Sequence, residues 1–232
     1  MTIDIWLLVS RLATLLFTGL IAWITYRSYL LLKHFQPDFN LLLSPPETLG
    51  RLVMAGICLG LAWLSGLSAA DLGLAVDNLW STIQLGIGLG LATQVAVYLI
   101  TTWLIKIFGR HIYSPWLIRN ILPDRPLEWL LVTLAFIPPV AMEELLFRTL
   151  LIGLFKPVLP ITLLIIVTSI VFGLMHQPQG RLGMALAGII NALFCLVFVW
   201  TGQLLVTFLA HYCVNILQVV VAHFHRDWLE SY

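Results

Sequence analysis

The chain has 232 residues, of which 60% are hydrophobic and only 10% charged, and its mean hydropathy is +0.99. Soluble domains contain about 45–50% apolar and about 25% charged residues, so this composition excludes a water-soluble globular protein and a disordered chain. The 12 Lys and Arg residues nearly balance the 11 Asp and Glu residues, which leaves no basic excess to bind nucleic acid. Cys58, Cys195 and Cys213 lie in apolar runs without metal-ligand or disulfide spacing, so we expect them to serve in packing.

Several apolar stretches are long enough for a membrane-spanning helix, which needs about 20 apolar residues. They cover residues 5–32, 52–70, 79–107, 127–155, 157–176, 182–200 and 203–225. Pro138-Pro139 interrupts the fourth stretch, which therefore forms either one helix or two. Gly56-x-x-x-Gly60 and Gly86-x-x-x-Gly90 are small-residue spacings that predict close helix packing within the chain, with dimerisation of the chain as the alternative. We predict an all-α fold, a polytopic transmembrane helical bundle of seven to eight spanning helices.

The distribution of basic residues predicts how the bundle is oriented. The loops after the first and third apolar stretches hold most of them: Lys33, Arg51, Lys106, Arg110, Arg119 and Arg125. We therefore expect the N-terminus outside and the C-terminus in the cytoplasm, with Lys156 as the exception to the pattern. The first apolar stretch does not resemble a cleaved signal peptide, since no basic segment precedes it. We expect a bacterial plasma membrane, with a thylakoid membrane as the alternative.

The polar residues that carry chemistry lie mainly in the last hundred residues, and the first group is Glu143-Glu144-x-x-x-Arg148. Glu144 and Arg148 are four residues apart and share a helix face, so we predict a structural ion pair. Glu143 points elsewhere and has no cation one turn away. We predict that it is a partly desolvated carboxylate suited to general-base catalysis. The alternative is that all three charges form one network that only holds helices together.

Two histidine motifs follow: Phe172-x-x-x-His176, at the end of the fifth apolar stretch, and His211-x-x-x-Asn215, inside the seventh. His211 and Asn215 share a helix face, and two hydrogen-bond donors there could stabilise an oxyanion. The alternatives are a helix-capping role for His176 and an interhelical hydrogen bond for His211 and Asn215. Further polar residues in the spans show no patterned partner: Gln94, Thr168, Ser169 and Asn191.

In this order on three helices, the motifs resemble those of the CAAX-protease and bacteriocin-processing (CPBP, or Abi) membrane proteins, which include the type II CAAX prenyl endopeptidases. That family has Glu-Glu-x-x-x-Arg, then Phe-x-x-x-His, then His-x-x-x-Asn, and this chain departs from it at no motif position. The resemblance covers roughly residues 125–222, which we expect to form a catalytic helical core. From hydropathy alone we expect N-terminal transmembrane helices over 1–120 and a short cytoplasmic tail over 223–232.

The resemblance implies an intramembrane endopeptidase. By similarity, Glu143 and His176 activate a water molecule, while His211 and Asn215 stabilise the tetrahedral oxyanion. Glu144 and Arg148 are then structural. The expected partners are the lipid bilayer and a membrane protein or peptide substrate, lipidated substrates included, and no nucleic acid.

We expect no cofactor, because the sequence lacks the His-Glu-x-x-His motif of zinc proteases. Zinc bound by Glu143, His176 and His211, with one open position, is the alternative. Two other functions use the same residues. A non-catalytic membrane scaffold of this fold would assemble partner proteins. A proton-coupled transporter would also place Glu and His inside the membrane, but the sequence shows none of the internal repeats typical of that class.

Overall fold

A computed structural model describes residues 5–35 and 37–231, and this part of the chain is helical and contains no strand. In chain order the α-helices are α1 (Ile5–Leu32), α2 (Pro45–Leu64), α3 (Leu79–Phe108), α4 (Trp116–Asn120), α5 (Pro126–Ala135), α6 (Ile137–Glu144), α7 (Ile161–Met175), α8 (Gly180–Thr201), α9 (Leu204–Phe224) and α10 (Arg226–Glu230). A π-helix over Leu145–Gly153 continues α6, and all nine of its residues are buried. The all-α prediction is therefore confirmed.

Six segments of the described chain are long and apolar enough to cross a membrane. They are α1, α2, α3, the stretch Pro126–Gly153, the stretch Gln177–Thr201, and α9. The predicted number of seven to eight is not confirmed, because the fifth predicted span contains only α7, with 15 residues. At 1.5 Å per residue, α7 is about 22 Å long, which is shorter than the hydrocarbon core of about 30 Å. Extended backbone at Pro160 sets the start of α7.

The fourth span continues through the paired prolines, with a one-residue break between α5 and α6. Phe136 interrupts the helix between α5 and α6, and Pro138 and Pro139 then occupy the first turn of α6, where their missing N–H groups remove no helical hydrogen bond. The backbone N–H of Val140 still donates to the carbonyl of Phe136 at 3.2 Å. The stretch Pro126–Gly153 remains one candidate span.

Helix α2 differs from the predicted stretch at both ends. It begins at Pro45 rather than at residue 52, since proline is favourable in a first helical turn. It ends at Leu64 rather than at residue 70, and Gly66 follows with a φ of 69°. The earlier start places Glu47 and Arg51 on the helix, which the hydropathy pattern does not show.

Helices α3 and α9 pack closely and run in the same direction. A Cβ atom at Gly86 would lie 2.7 Å from the Cβ of Leu209, and one at Gly90 would lie 2.6 Å from the Cβ of Cys213. The predicted packing role of this glycine pair is confirmed. Gly56 and Gly60 have nothing within 4 Å of such an atom, so the predicted packing role is wrong for that pair.

Candidate active site

Glu144 joins two of the three sequence motifs. Its side chain is 0% exposed, and its Oε2 lies 3.3 Å from Nε of Arg148 on the following π-helix. Its Oε1 accepts a 2.8 Å hydrogen bond from Nδ1 of His211 on α9. Because a carboxylate accepts, the Nδ1 atom of His211 carries the proton and its Nε2 atom points away from Glu144.

Arg148 is enclosed by aromatic rings as well as by its partner carboxylate. Its side chain is 1% exposed, and its guanidinium carbon lies 5.9 Å from the ring centre of Phe172 and 5.8 Å from that of Phe194. Cation–π attraction and the charge of Glu144 together offset the free energy that the Arg148 cation loses when it leaves water. The spacing of Glu144 and Arg148 predicts their contact, whereas no sequence signal indicates Phe194.

Glu143 points in a different direction from Glu144 and keeps partial contact with solvent. Its side chain is 18% exposed, and its Oε2 lies 3.7 Å from Nε2 of His211. Its Oε1 lies 3.9 Å from Nη1 of Arg51 on α2, so the fold supplies the nearby cation that the local sequence lacks. Arg51 itself forms a 2.7 Å ion pair with Glu47. Glu143 therefore lies between an imidazole and a guanidinium.

His176 ends α7, and its ring caps that helix. Nδ1 of His176 donates a 2.7 Å hydrogen bond to the carbonyl of Phe172, four residues earlier, and the two rings lie 4.4 Å apart. Because a carbonyl only accepts, this bond places the ring proton on Nδ1 and leaves Nε2 available. The capping role proposed as an alternative is therefore present, and it fixes the orientation of the imidazole.

A cavity of about 260 Å³ brings the histidine motifs together. His176, His211 and Asn215 all line it, together with Phe172. Glu143 does not line this cavity and is linked to it through its contact with His211. Three of the four predicted catalytic residues thus face one space, and the fourth adjoins it.

Polar residues outside the motifs also line the cavity, and the sequence analysis named only Gln94 among them, without a partner. On α3 they are Gln94, Tyr98, Thr101 and Thr102; Gln218 lies on α9, and His225 directly follows it. Gln94, Tyr98 and Thr101 recur at the spacing of one helix face. That polar face on an otherwise apolar helix is the signal that could have revealed them.

The possible metal ligands of the site are not arranged to bind a zinc ion. Within the described ranges, no group of three or more His, Cys, Asp or Glu side chains is placed to hold a metal. The alternative ligand set of Glu143, His176 and His211 is therefore not assembled in this arrangement, although Glu143 and His211 touch.

Residues 125–217 match the family model described as Type II CAAX prenyl endopeptidase Rce1-like. This segment extends from the start of α5 into α9 and contains all seven motif residues, and the match confirms the resemblance seen in the motifs. The six apolar helices indicate an integral membrane protein, and residues 125–217 of it resemble the CAAX proteases. No curated protein and no solved structure matches the chain.

Proposed function

We propose that this protein is an intramembrane endopeptidase that hydrolyses peptide bonds of membrane proteins or peptides with a water activated by Glu143 and His176. The observation that carries the proposal is the shared cavity of His176, His211 and Asn215, beside which Glu143 contacts His211 at 3.7 Å. Two imidazoles and an amide from α7 and α9 thus line one space, and the base on α6 adjoins it. The family match of residues 125–217 supports the same reaction class.

Glu143 and His176 are suited to activating water. The Glu143 carboxylate is partly exposed, which allows it to contact water, and its Oε1 lies 3.9 Å from the Arg51 guanidinium. The hydrogen bond to Phe172 directs Nε2 of His176 away from its helix as an acceptor. In the proposed step the water oxygen attacks the peptide carbonyl carbon while its proton passes to the Glu143 carboxylate. The carboxyl group then returns a proton to the amine as the C–N bond breaks.

His211 and Asn215 are suited to stabilising the oxyanion. Glu144 fixes Nδ1 of His211 at 2.8 Å, so Nε2 is the atom that can donate when it is protonated. Asn215 follows one turn later and lines the same cavity. Donors whose orientation is fixed before the reaction stabilise developing charge most strongly where water is scarce.

Cleavage of a reporter peptide library by the purified protein tests this mechanism. We expect Glu143→Gln to lower turnover at least about a hundredfold, as loss of a general base does. Asp71→Asn is the matched control, because Asp71 is exposed in the loop between α2 and α3, its side chain bonds to nearby Ser68, and its backbone carbonyl, which the substitution keeps, accepts from Lys156. Wild-type turnover by Glu143→Gln would contradict the proposed role of that residue.

The same assay tests whether the reaction needs a metal. We propose metal-free catalysis, so a strong chelator should leave the wild-type rate unchanged. Loss of cleavage with chelator and its recovery with zinc would instead establish the metal-dependent alternative. Absence of cleavage by the wild-type protein across the library would favour a non-catalytic membrane scaffold.

The orientation and the number of crossings are part of the proposal. Arg110, Arg119 and Arg226 lie at one end of the bundle, where they bind Ser231, Leu229 and Asp124 respectively. Basic residues favour the cytoplasmic side, so we propose that this end is cytoplasmic and the N-terminus outside, with α7 as a short seventh crossing. Labelling of single cysteines at Ser231 and at Asp77, which is exposed in the loop between α2 and α3 at the opposite end of the bundle, from each side of a vesicle would test the orientation.

A further inference from the structure

Gln94 is a buried amide on α3 without a partner for its oxygen. The residue is 6% exposed, and its Oε1 accepts no hydrogen bond within the described part of the chain. It lines the same cavity as His211 and Asn215. Buried acceptors are normally paired, and the requirement is strictest inside a membrane. An unpaired acceptor that lines a cavity therefore indicates a ligand that supplies a donor.

The helix packing places Gln94 opposite the third sequence motif. A Cβ atom at Gly90 would touch Cys213 and the carbonyl of Ala210 at 2.6 and 2.8 Å. Since α3 and α9 run in the same direction, Gln94, one turn beyond Gly90, lies level with the turn that holds Asn215 and Gln218. Carboxamides therefore line both walls of the cavity next to the proposed oxyanion site.

This chemistry fits a peptide backbone. A carboxamide offers both donors and acceptors, and a peptide that unwinds inside the membrane exposes N–H and C=O groups that must be paired. The polar face from Gln94 to Thr101 spans seven residues, or about 10 Å along α3. That length matches about three residues of extended chain at roughly 3.3 Å each.

We propose that Gln94 is a specificity-determining residue whose side-chain oxygen accepts a hydrogen bond from a backbone N–H of an unwound peptide substrate beside the scissile bond. This inference rests on the proposed function for the identity of the ligand. Gln94 lies outside the segment that matches the protease family, so the family match does not assign it a role.

Peptide binding to the inactive variant Glu143→Gln tests the role of Gln94 separately from the proposed catalysis. The probe is a fluorescein-labelled apolar peptide, together with analogues in which one backbone N–H at a time is N-methylated. Fluorescence anisotropy measures their binding to Glu143→Gln. We expect one N-methylated position to weaken binding about tenfold, because it removes the donor to Gln94.

In the double variant Glu143→Gln/Gln94→Leu, the parent peptide should bind about tenfold more weakly and N-methylation at that position should have no further effect. The matched control is Thr93→Val, since Thr93 is equally buried but does not line the cavity. It should leave the N-methyl sensitivity intact. Gln94→Leu should also be at least as resistant to thermal unfolding as its parent, because it removes an unpaired polar group.

The results of these binding and stability measurements either support or overturn the proposed role of Gln94. Equal N-methyl sensitivity with and without Gln94, destabilisation by Gln94→Leu, or no binding of any peptide would each overturn it. Gln94-dependent binding by a protein whose wild-type form cleaves none of the bound peptides would support the subsite and contradict the protease.

Discussion

Glu143 and Glu144 are neighbours in sequence, yet the same substitution should affect different properties at the two positions. In Glu144→Gln the side chain keeps its shape but loses its charge, and Arg148, with a side chain 1% exposed, loses its counter-ion. Removing one partner of a buried ion pair costs about 3–5 kcal/mol. Two aromatic rings near the guanidinium recover only a small part of this energy.

The expected change in melting temperature follows from the size of the chain. For 150–250 residues, 1 kcal/mol shifts Tm by about 2–4 °C, so Glu144→Gln should lower Tm by roughly 6–20 °C. Glu143 is partly exposed and its ionic contacts are 3.7 and 3.9 Å long. Glu143→Gln should therefore change stability by less than about 1 kcal/mol while it abolishes cleavage.

Thiol labelling during heating measures the difference in stability between Glu143→Gln and Glu144→Gln. Cys58 and Cys195 are 0% exposed and should react with a thiol-specific fluorophore only when the protein unfolds. Equal melting temperatures for the two variants would refute the assignment of Glu144 as the buried structural carboxylate. A second substitution provides a check: adding Arg148→Met to Glu144→Gln removes the uncompensated charge and should restore part of the lost stability.

Two further predictions concern the helices that flank the matched segment. Gly90→Leu should destabilise the protein by about 1–3 kcal/mol in the same labelling assay, because its side chain would collide with Cys213 and Ala210. Gly60→Leu, with nothing within 4 Å of the added Cβ, should be neutral; equal effects would contradict the packing. Arg51→Gln should lower turnover about three- to tenfold without weakening peptide binding, since the cation at 3.9 Å holds the Glu143 carboxylate in place and exposed pairs contribute up to about 1 kcal/mol. Arg51→Lys should retain most of the rate, and full turnover by Arg51→Gln would show that this cation does not assist Glu143.

Features set by local spacing could be predicted from the sequence, and those set by contacts between distant helices could not. The spacing of Glu144 and Arg148 predicts their contact, and hydropathy predicts α3 from residue 79 to within one residue of its end. Hydropathy fails at Pro45, because the first turns of α2 contain Glu47 and Arg51 and do not look apolar. It also overestimates α7, since an apolar run does not reveal that the helix begins only after Pro160.

The local sequence does not indicate that Arg51 contacts Glu143. The polar face of α3 marks Gln94 as unusual but does not show that it lines the cavity with α9. Arg51 is far from Glu143 in sequence, and their approach depends on the packing of α2 against α6. Gln94 reaches the cavity because Gly86 and Gly90 bring α3 against α9. Such contacts result from how helices approach one another, which periodicity within one helix does not encode.

The proposed enzyme therefore divides its tasks between two parts of the chain. The segment that matches the family supplies the reacting groups and the buried pair of Glu144 and Arg148 that orients His211. Helices α2 and α3, outside that segment, supply Arg51 beside the base and Gln94 in the cavity wall. Changes in α3 can then alter which peptide binds while the catalytic groups stay in place. Substitutions along Gln94, Tyr98 and Thr101 should consequently change the order of preference among peptides, whereas substitutions at Glu143 should lower the cleavage of every peptide alike.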